Sequence, residues 1–172
     1  MAELDPHVVN SRFRVYNRVA ATKPLSGLVS LLRMGEEVEA SVKTKNRQDD
    51  DDDSSPTAYM RVSIANHPKV FGIRVGTYFE ISTHVLLVDA AIEYRFEREL
   101  ASFDEHVLRG FVHTTAAPRI AISSWTLIEE LANTSGVKLE TNIAFPPEMI
   151  AHAVLHRLET GNHLHAPKYR SD

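Results

Sequence analysis

The sequence predicts an α+β fold: a four- to five-stranded antiparallel sheet, then two short helices joined by a crossover loop, then a C-terminal helix. Three observations carry this. Before Leu100 the apolar residues recur with period two, the spacing of strands with one buried face. From Ser102 onward the interval changes to three and four, as on a helix. The links between the alternating runs are too short to contain crossover helices, so neighbouring strands run antiparallel.

Taken in order, residues 1–10 read as a loose leader. Alternation begins at Arg12, with Phe13, Val15 and Val19 on one side and Arg12, Arg14, Tyr16 and Arg18 on the other. Lys23-Pro24-Leu25-Ser26-Gly27 has turn composition. Leu28–Met34 is apolar and short, compatible with a strand or a helical turn. Glu37–Lys45 alternates again, with Val38, Ala40 and Val42 inward. Residues 46–57 include five consecutive aspartates, Asp49–Asp53. Such a run repels itself and buries nothing, so it reads as a mobile acidic loop between two strands, a solubilising one rather than a docking arm.

Three further strands follow. Met60, Val62 and Ile64 point one way, then Phe71, Ile73, Val75, Phe79 and Ile81, then Val88, Ala90, Ile92, Tyr94 and Phe96. Turns are expected at Asn66-His67-Pro68 and near Ser82–His84, although the last two runs also fit one long bent strand. In the helical half, Ser102-Phe-Asp-Glu105 has the form of a capping box. Phe103, Val107 and Phe111 then make one apolar stripe, which Gly110 and Thr114–Thr115 bring to an early end. His113–Ala117 reads as a connector, and Pro118 opens a second helix with Ala121, Trp125, Ile128, Leu131 and Ala132 on one face. Ser135-Gly136 is a left-handed stop. Val137–Phe145 is extended, Pro146-Pro147 opens a final helix over Glu148–Thr160, and Gly161 closes it. The tail, 161–172, reads as frayed. The whole reads as a single domain, 1–172.

Composition narrows the function. A chain of 172 residues with 43% hydrophobic and 24% charged residues has the make-up of a soluble globular protein. A net charge of −4 offers no basic field for nucleic acid. The absence of cysteine excludes a disulfide scaffold, a thiol nucleophile and a thiolate zinc site, and fits a cytoplasmic location. Met1–Asn10 lacks the basic end and apolar run of a secretory signal, and no window is apolar enough to span a membrane.

Candidate chemistry is sparse. His152 and His156 share a helix face at a spacing that suits zinc or nickel, with His163 and His165 just beyond. No glutamate follows His152 to make the metalloprotease pattern, and no second element fixes a third ligand, so no metal site is expected. A triad would have to join His84 or His113 to Ser123 or Ser124, with no GxSxG elbow to place the serine. The glycines form neither phosphate-binding motif, so no cofactor is expected. The arginines around Phe13 and Tyr16 could stack single-stranded nucleic acid, yet the same alternation describes any half-exposed strand. A single sheet layer with small helices covers one face, so the other is wet or meets another subunit, and a homo-oligomer is expected.

The second half of the chain resembles the SecB-like chaperone family. The resemblance is carried by Tyr94-Arg-Phe-Glu, the short helix Phe103–Phe111, the proline-containing link His113–Pro118, and the texture P-x-I-A-I…L-I-E-E-L over Pro118–Leu131. It continues through Gly136-Val-Lys-Leu and Asn142-Ile-Ala-Phe-Pro146, so that element order matches over roughly Ser11–Pro147. It implies a non-enzymatic, ATP-independent holdase that assembles as a dimer or dimer of dimers and grips unfolded or nascent polypeptide in apolar grooves. Phe111, Ile120, Ile122, Trp125 and Phe145 are the residues expected to line the groove. The basic first strand, and Arg119 where the family has an aromatic, suit solitary members that guard the antitoxin of a toxin–antitoxin pair. They suit less well the export members that meet the SecA motor. The alternative is a phage or bacterial adaptor that binds one folded partner.

Overall fold

The period-two runs become five strands of one antiparallel sheet in the computed structural model, which describes residues 7–22, 40–43, 57–81, 84–139 and 145–161. The strands are β1 (Val8–Thr22), β2 (Ala40–Lys43), β3 (Thr57–His67), β4 (Val70–Ile81) and β5 (His84–Phe96). Their spatial order is β1-β5-β4-β3-β2, so among the described strands the first lies beside the last and β1 and β2 are the edges. β3 and β4 form a hairpin across Pro68-Lys69, with His67 opposite Val70. β4 and β5 are separate strands, paired from Val70 opposite Arg95 to Ile81 opposite His84, which settles the bent-strand alternative. The acidic run, Leu28–Met34 and the tail beyond Gly161 lie outside the described residues.

Alternation identifies the covered face of the three central strands. Met60, Val62 and Ile64 of β3, Phe71, Ile73, Val75 and Phe79 of β4, and Leu86, Val88, Ala90, Ile92, Tyr94 and Phe96 of β5 are all buried in one cluster with the helices. β1 behaves differently. It starts at Val8, inside the stretch expected as leader, where the Glu97 amide donates to the His7 carbonyl at 3.0 Å. Its register slips between Val15 and Asn17. A bulge of this kind moves every later side chain to the opposite face. Val19 therefore joins Ala21, Tyr78, Val85 and Leu87 in a second apolar cluster instead of sharing a face with Phe13 and Val15.

The helices are α1 (Glu105–Phe111), α2 (Ala117–Ser135) and α3 (Pro147–Thr160). Two sequence expectations are corrected here. The cap of α1 is Asp104, whose carboxylate accepts from the His106 amide at 2.9 Å; Ser102 belongs to a preceding 3₁₀ turn and donates to the Glu99 carbonyl at 2.6 Å. Nor is there a crossover loop: Val112–Ala116 is a π-helical turn that joins α1 to α2 without a break. Pro118 has no N–H to donate, and its ring crowds the carbonyl four residues back. The wider turn, in which the Ala117 amide bonds the Val112 carbonyl, admits the proline while the chain stays helical.

Gly136 (φ 70°) and Gly161 (φ 69°) end α2 and α3 in the left-handed conformation, as their positions predict. Arg109 ties the first helix to the last, bonding Glu105 at 2.9 Å and also Glu159.

Phe111 locks the helical run onto the sheet. Its ring meets Tyr94, Phe96 and Phe71 edge-on, at centroid distances of 4.9, 5.5 and 6.4 Å. Such pairs add to plain burial. Phe111→Ala is expected to cost about 3–5 kcal/mol, measured as a lower urea midpoint with unchanged slope.

Candidate functional site

A helix lying on a sheet covers only the strands beneath it. α2 packs on β5 and reaches β1 and β4, whereas α3 packs on β3. Between the two helices, above β4, a shallow slot remains whose lining side chains are mostly buried, with room for about one water-sized group. Val75, Thr77 and Phe79 form its floor, α2 contributes Ala121, Ser124, Trp125 and Ile128, and Phe145 and Ile150 close the α3 side. Its aromatic wall is continuous: Phe79 stands 6.2 Å from Trp125, nearly edge-on, and 5.9 Å from Phe145.

Two of the five residues expected in a groove, Trp125 and Phe145, therefore meet in this slot. Ile122 lies three residues before Trp125, hence beside it on the helix surface, and is 66% exposed. These three residues make an apolar strip that runs from the outside of α2 into the slot. Phe111 and Ile120 sit elsewhere, buried in the core on the sheet side of the helical run.

Phe79, Thr77 and Ser124 were not expected as lining. Ser124 had entered only as a possible nucleophile, although its distance of seven from Ala117 and four from Ile128 places it on the buried stripe. It is 3% exposed, and its hydroxyl has no hydrogen-bond partner. Thr77, equally buried, donates its proton to the Val88 carbonyl at 3.2 Å.

The other candidate chemistry disperses. His152 and His156 are exposed on α3, His113 is exposed on the π turn, and His84 starts β5. Among the described residues no group of three histidine or acidic side chains could hold a metal ion. Likewise, no described helix is long and apolar enough to cross a membrane.

A second surface runs along the edge strand. Among the described residues five large apolar side chains are exposed, and four of them are on β1: Val9, Phe13 (40%), Val15 (44%) and Tyr16. Two of the strand's three arginines are engaged with the chain's own acids, Arg14 with Glu93 at 3.4 Å and Arg18 with Glu130 at 3.2 Å. On the sheet face away from the helices, Arg74 grips Asp89 through two hydrogen bonds, of 2.8 and 2.5 Å, and stacks on Tyr16. The bond to Asp89 raises the Arg74 pKa above its ordinary value, against the opposing effect of burial.

No family model matches the chain, and no curated protein matches it. A solved structure similar to it is the Mycobacterium tuberculosis Rv1957 SecB-like chaperone in complex with a ChAD peptide from Rv1956 HigA1 antitoxin. It shares 13% identity, over 83% of this chain and 91% of that one, with a TM-score of 0.45.

Trp125 is the chain's one tryptophan, so its emission reports the slot alone. Half-buried as it stands, it should show intermediate acrylamide quenching. Phe145→Ala, which removes the opposite wall, should raise the quenching constant toward that of the unfolded chain.

Proposed function

We propose that this protein is an ATP-independent holdase that grips extended, apolar and aromatic-rich segments of unfolded polypeptide. The observation that carries the reading is the strip from exposed Ile122 through Trp125 into the slot walled by Phe79 and Phe145. An apolar surface that is open at one end and offers few directional bonds takes its affinity from buried area, so it accepts many sequences. The resemblance of Pro118–Leu131 and its flanks to SecB-like chaperones supports the same reading, and the basic first strand favours a solitary, antitoxin-guarding type. No residue here is assigned a catalytic role.

β1 is the assembly surface. A strand that is long, lies at the edge among the described strands and exposes Phe13 and Val15 invites another strand to pair with it. The ion pairs of Arg14 and Arg18 within the chain reduce the like-charge cost of bringing two copies of β1 together, leaving Arg12 as the charge to accommodate. Light scattering should give a mass of two or four protomers, and Phe13→Arg with Val15→Arg should bring it down to one. A monomeric parent protein would remove this assignment.

The functional test needs no nucleotide. At stoichiometric ratio the protein should suppress aggregation of a chemically denatured client, and Ile122→Lys or Trp125→Ala should reduce suppression severalfold while the fold is retained. Failure to suppress with several clients, alongside tight binding to one native protein, would replace the holdase with an adaptor.

A further inference from the structure

Only one neighbouring strand specifies the register of β1, and a slip of one residue exchanges its two faces. Beyond Val15 two registers compete. In the one observed, Asn17 stands opposite Asp89, Arg18 opposite Val88 and Val19 opposite Leu87, with Tyr16 as the extra residue. In a regular ladder Tyr16 would stand opposite Asp89, Arg18 opposite Leu87 and Val19 opposite Leu86. Unbroken alternation from Arg12 to Val19 is the sequence pattern of that regular ladder. A bulge also leaves one residue unpaired, so the observed register needs something to hold it.

The carboxylate of Asp89 lies at the bulge. Its Oδ1 accepts from Arg74 Nε at 2.8 Å. Its Oδ2 accepts from the same guanidinium at 2.5 Å and, at 3.4 Å, from the side-chain amide of Asn17. The Arg74 guanidinium stands 4.3 Å from the centre of the Tyr16 ring. Tyr16 and Asn17, the two residues that share the place opposite Asp89, are thus both held by one ion pair reaching in from β4. The Asp89 side chain is only 13% exposed, so water replaces these bonds poorly.

The chosen register acts on both faces. Val19 and Ala21 enter the second apolar cluster, while Arg18 turns to the helix side and meets Glu130 of α2. The regular ladder would set Arg18 against Leu87 and line up Val19 with Phe13 and Val15. That is a longer apolar row on an edge strand, the kind that invites indiscriminate pairing.

We propose that Asp89 is a register lock: through Arg74, Tyr16 and Asn17 it holds the bulge in β1 and so fixes which side chains this edge strand presents. The lock goes beyond the holdase reading and does not depend on it.

The chain has no cysteine, so engineered pairs report the register directly. Val19→Cys with Leu87→Cys sets two thiols opposite one another in the observed register. Arg18→Cys with Leu87→Cys does so in the regular one. Closure under mild oxidant is followed by intact mass after alkylation. With Asp89 in place the first pair should close and the second stay open. Asp89→Ala removes hydrogen bonds to a charged group and should move the ratio of the two closure rates about tenfold toward the second pair. Arg74→Ala, which leaves the β1–β5 pairing untouched, should move it in the same direction. General loosening of the edge changes both rates together, so a ratio unchanged in both variants would overturn the lock. Closure of the second pair with Asp89 and Arg74 in place would overturn it as well.

Discussion

The structure depends on a mismatch of widths. Strands lie about 4.8 Å apart, whereas a helix with its side chains is about 10 Å across. Two helices on one face therefore cover roughly four strands, and this sheet has five. α2 lies on β5 and α3 on β3, so the seam between them falls over β4, while α2 reaches β1 without covering Phe13 and Val15. Both surfaces singled out here follow from that placement. The slot is the seam, and the exposed row of Phe13 and Val15 is the uncovered edge.

Continuity of the helical run decides which residues close the core and which stay available. Because the π turn carries Pro118 without a break, Phe111, Val112, Ala116, Ala117 and Ile120 all face the sheet in sequence and are buried. That stretch anchors α2 rigidly at its N-terminal end. Beyond it, Trp125 stands on the flank of the buried stripe, half in the slot, with Ile122 outside it. A short helix on a loose connector would have made the groove by moving; here an anchored helix makes it by leaving a gap beside itself. Under the proposed holdase function such a preformed gap lowers the ordering cost of binding.

Much of this fold is legible in the sequence. The central strands announce themselves through Met60–Ile64, Phe71–Phe79 and Val88–Phe96, where burial and alternation agree, and the glycine stops at Gly136 and Gly161 hold. What alternation cannot show is a slip of one residue. No glycine or proline marks the bulge between Val15 and Asn17, so the pattern of β1 looks continuous while its faces exchange. Pro118 misleads for a related reason: proline is common at a helix start, and nothing local distinguishes a start from a π turn that absorbs it. Ser102 and Asp104 are both competent caps, and only the path of the chain selects the aspartate. In the slot, Trp125 and Phe145 stand out as large aromatics near the helix and its exit. Phe79 is hidden among core residues and Ser124 among polar ones, because their role comes from being opposite one another, a tertiary fact.

The polar base of the slot belongs to the same logic as the gap. A buried, unpartnered hydroxyl costs about 1–3 kcal/mol, and alanine at position 124 would avoid that cost with little loss of packing. Thr77, equally buried across the slot, is satisfied by the Val88 carbonyl. Ser124 lies beside the small gap that α2 and α3 leave above β4. Its place beside a gap, not in the densest part of the core, leaves room of about one water-sized group next to the hydroxyl.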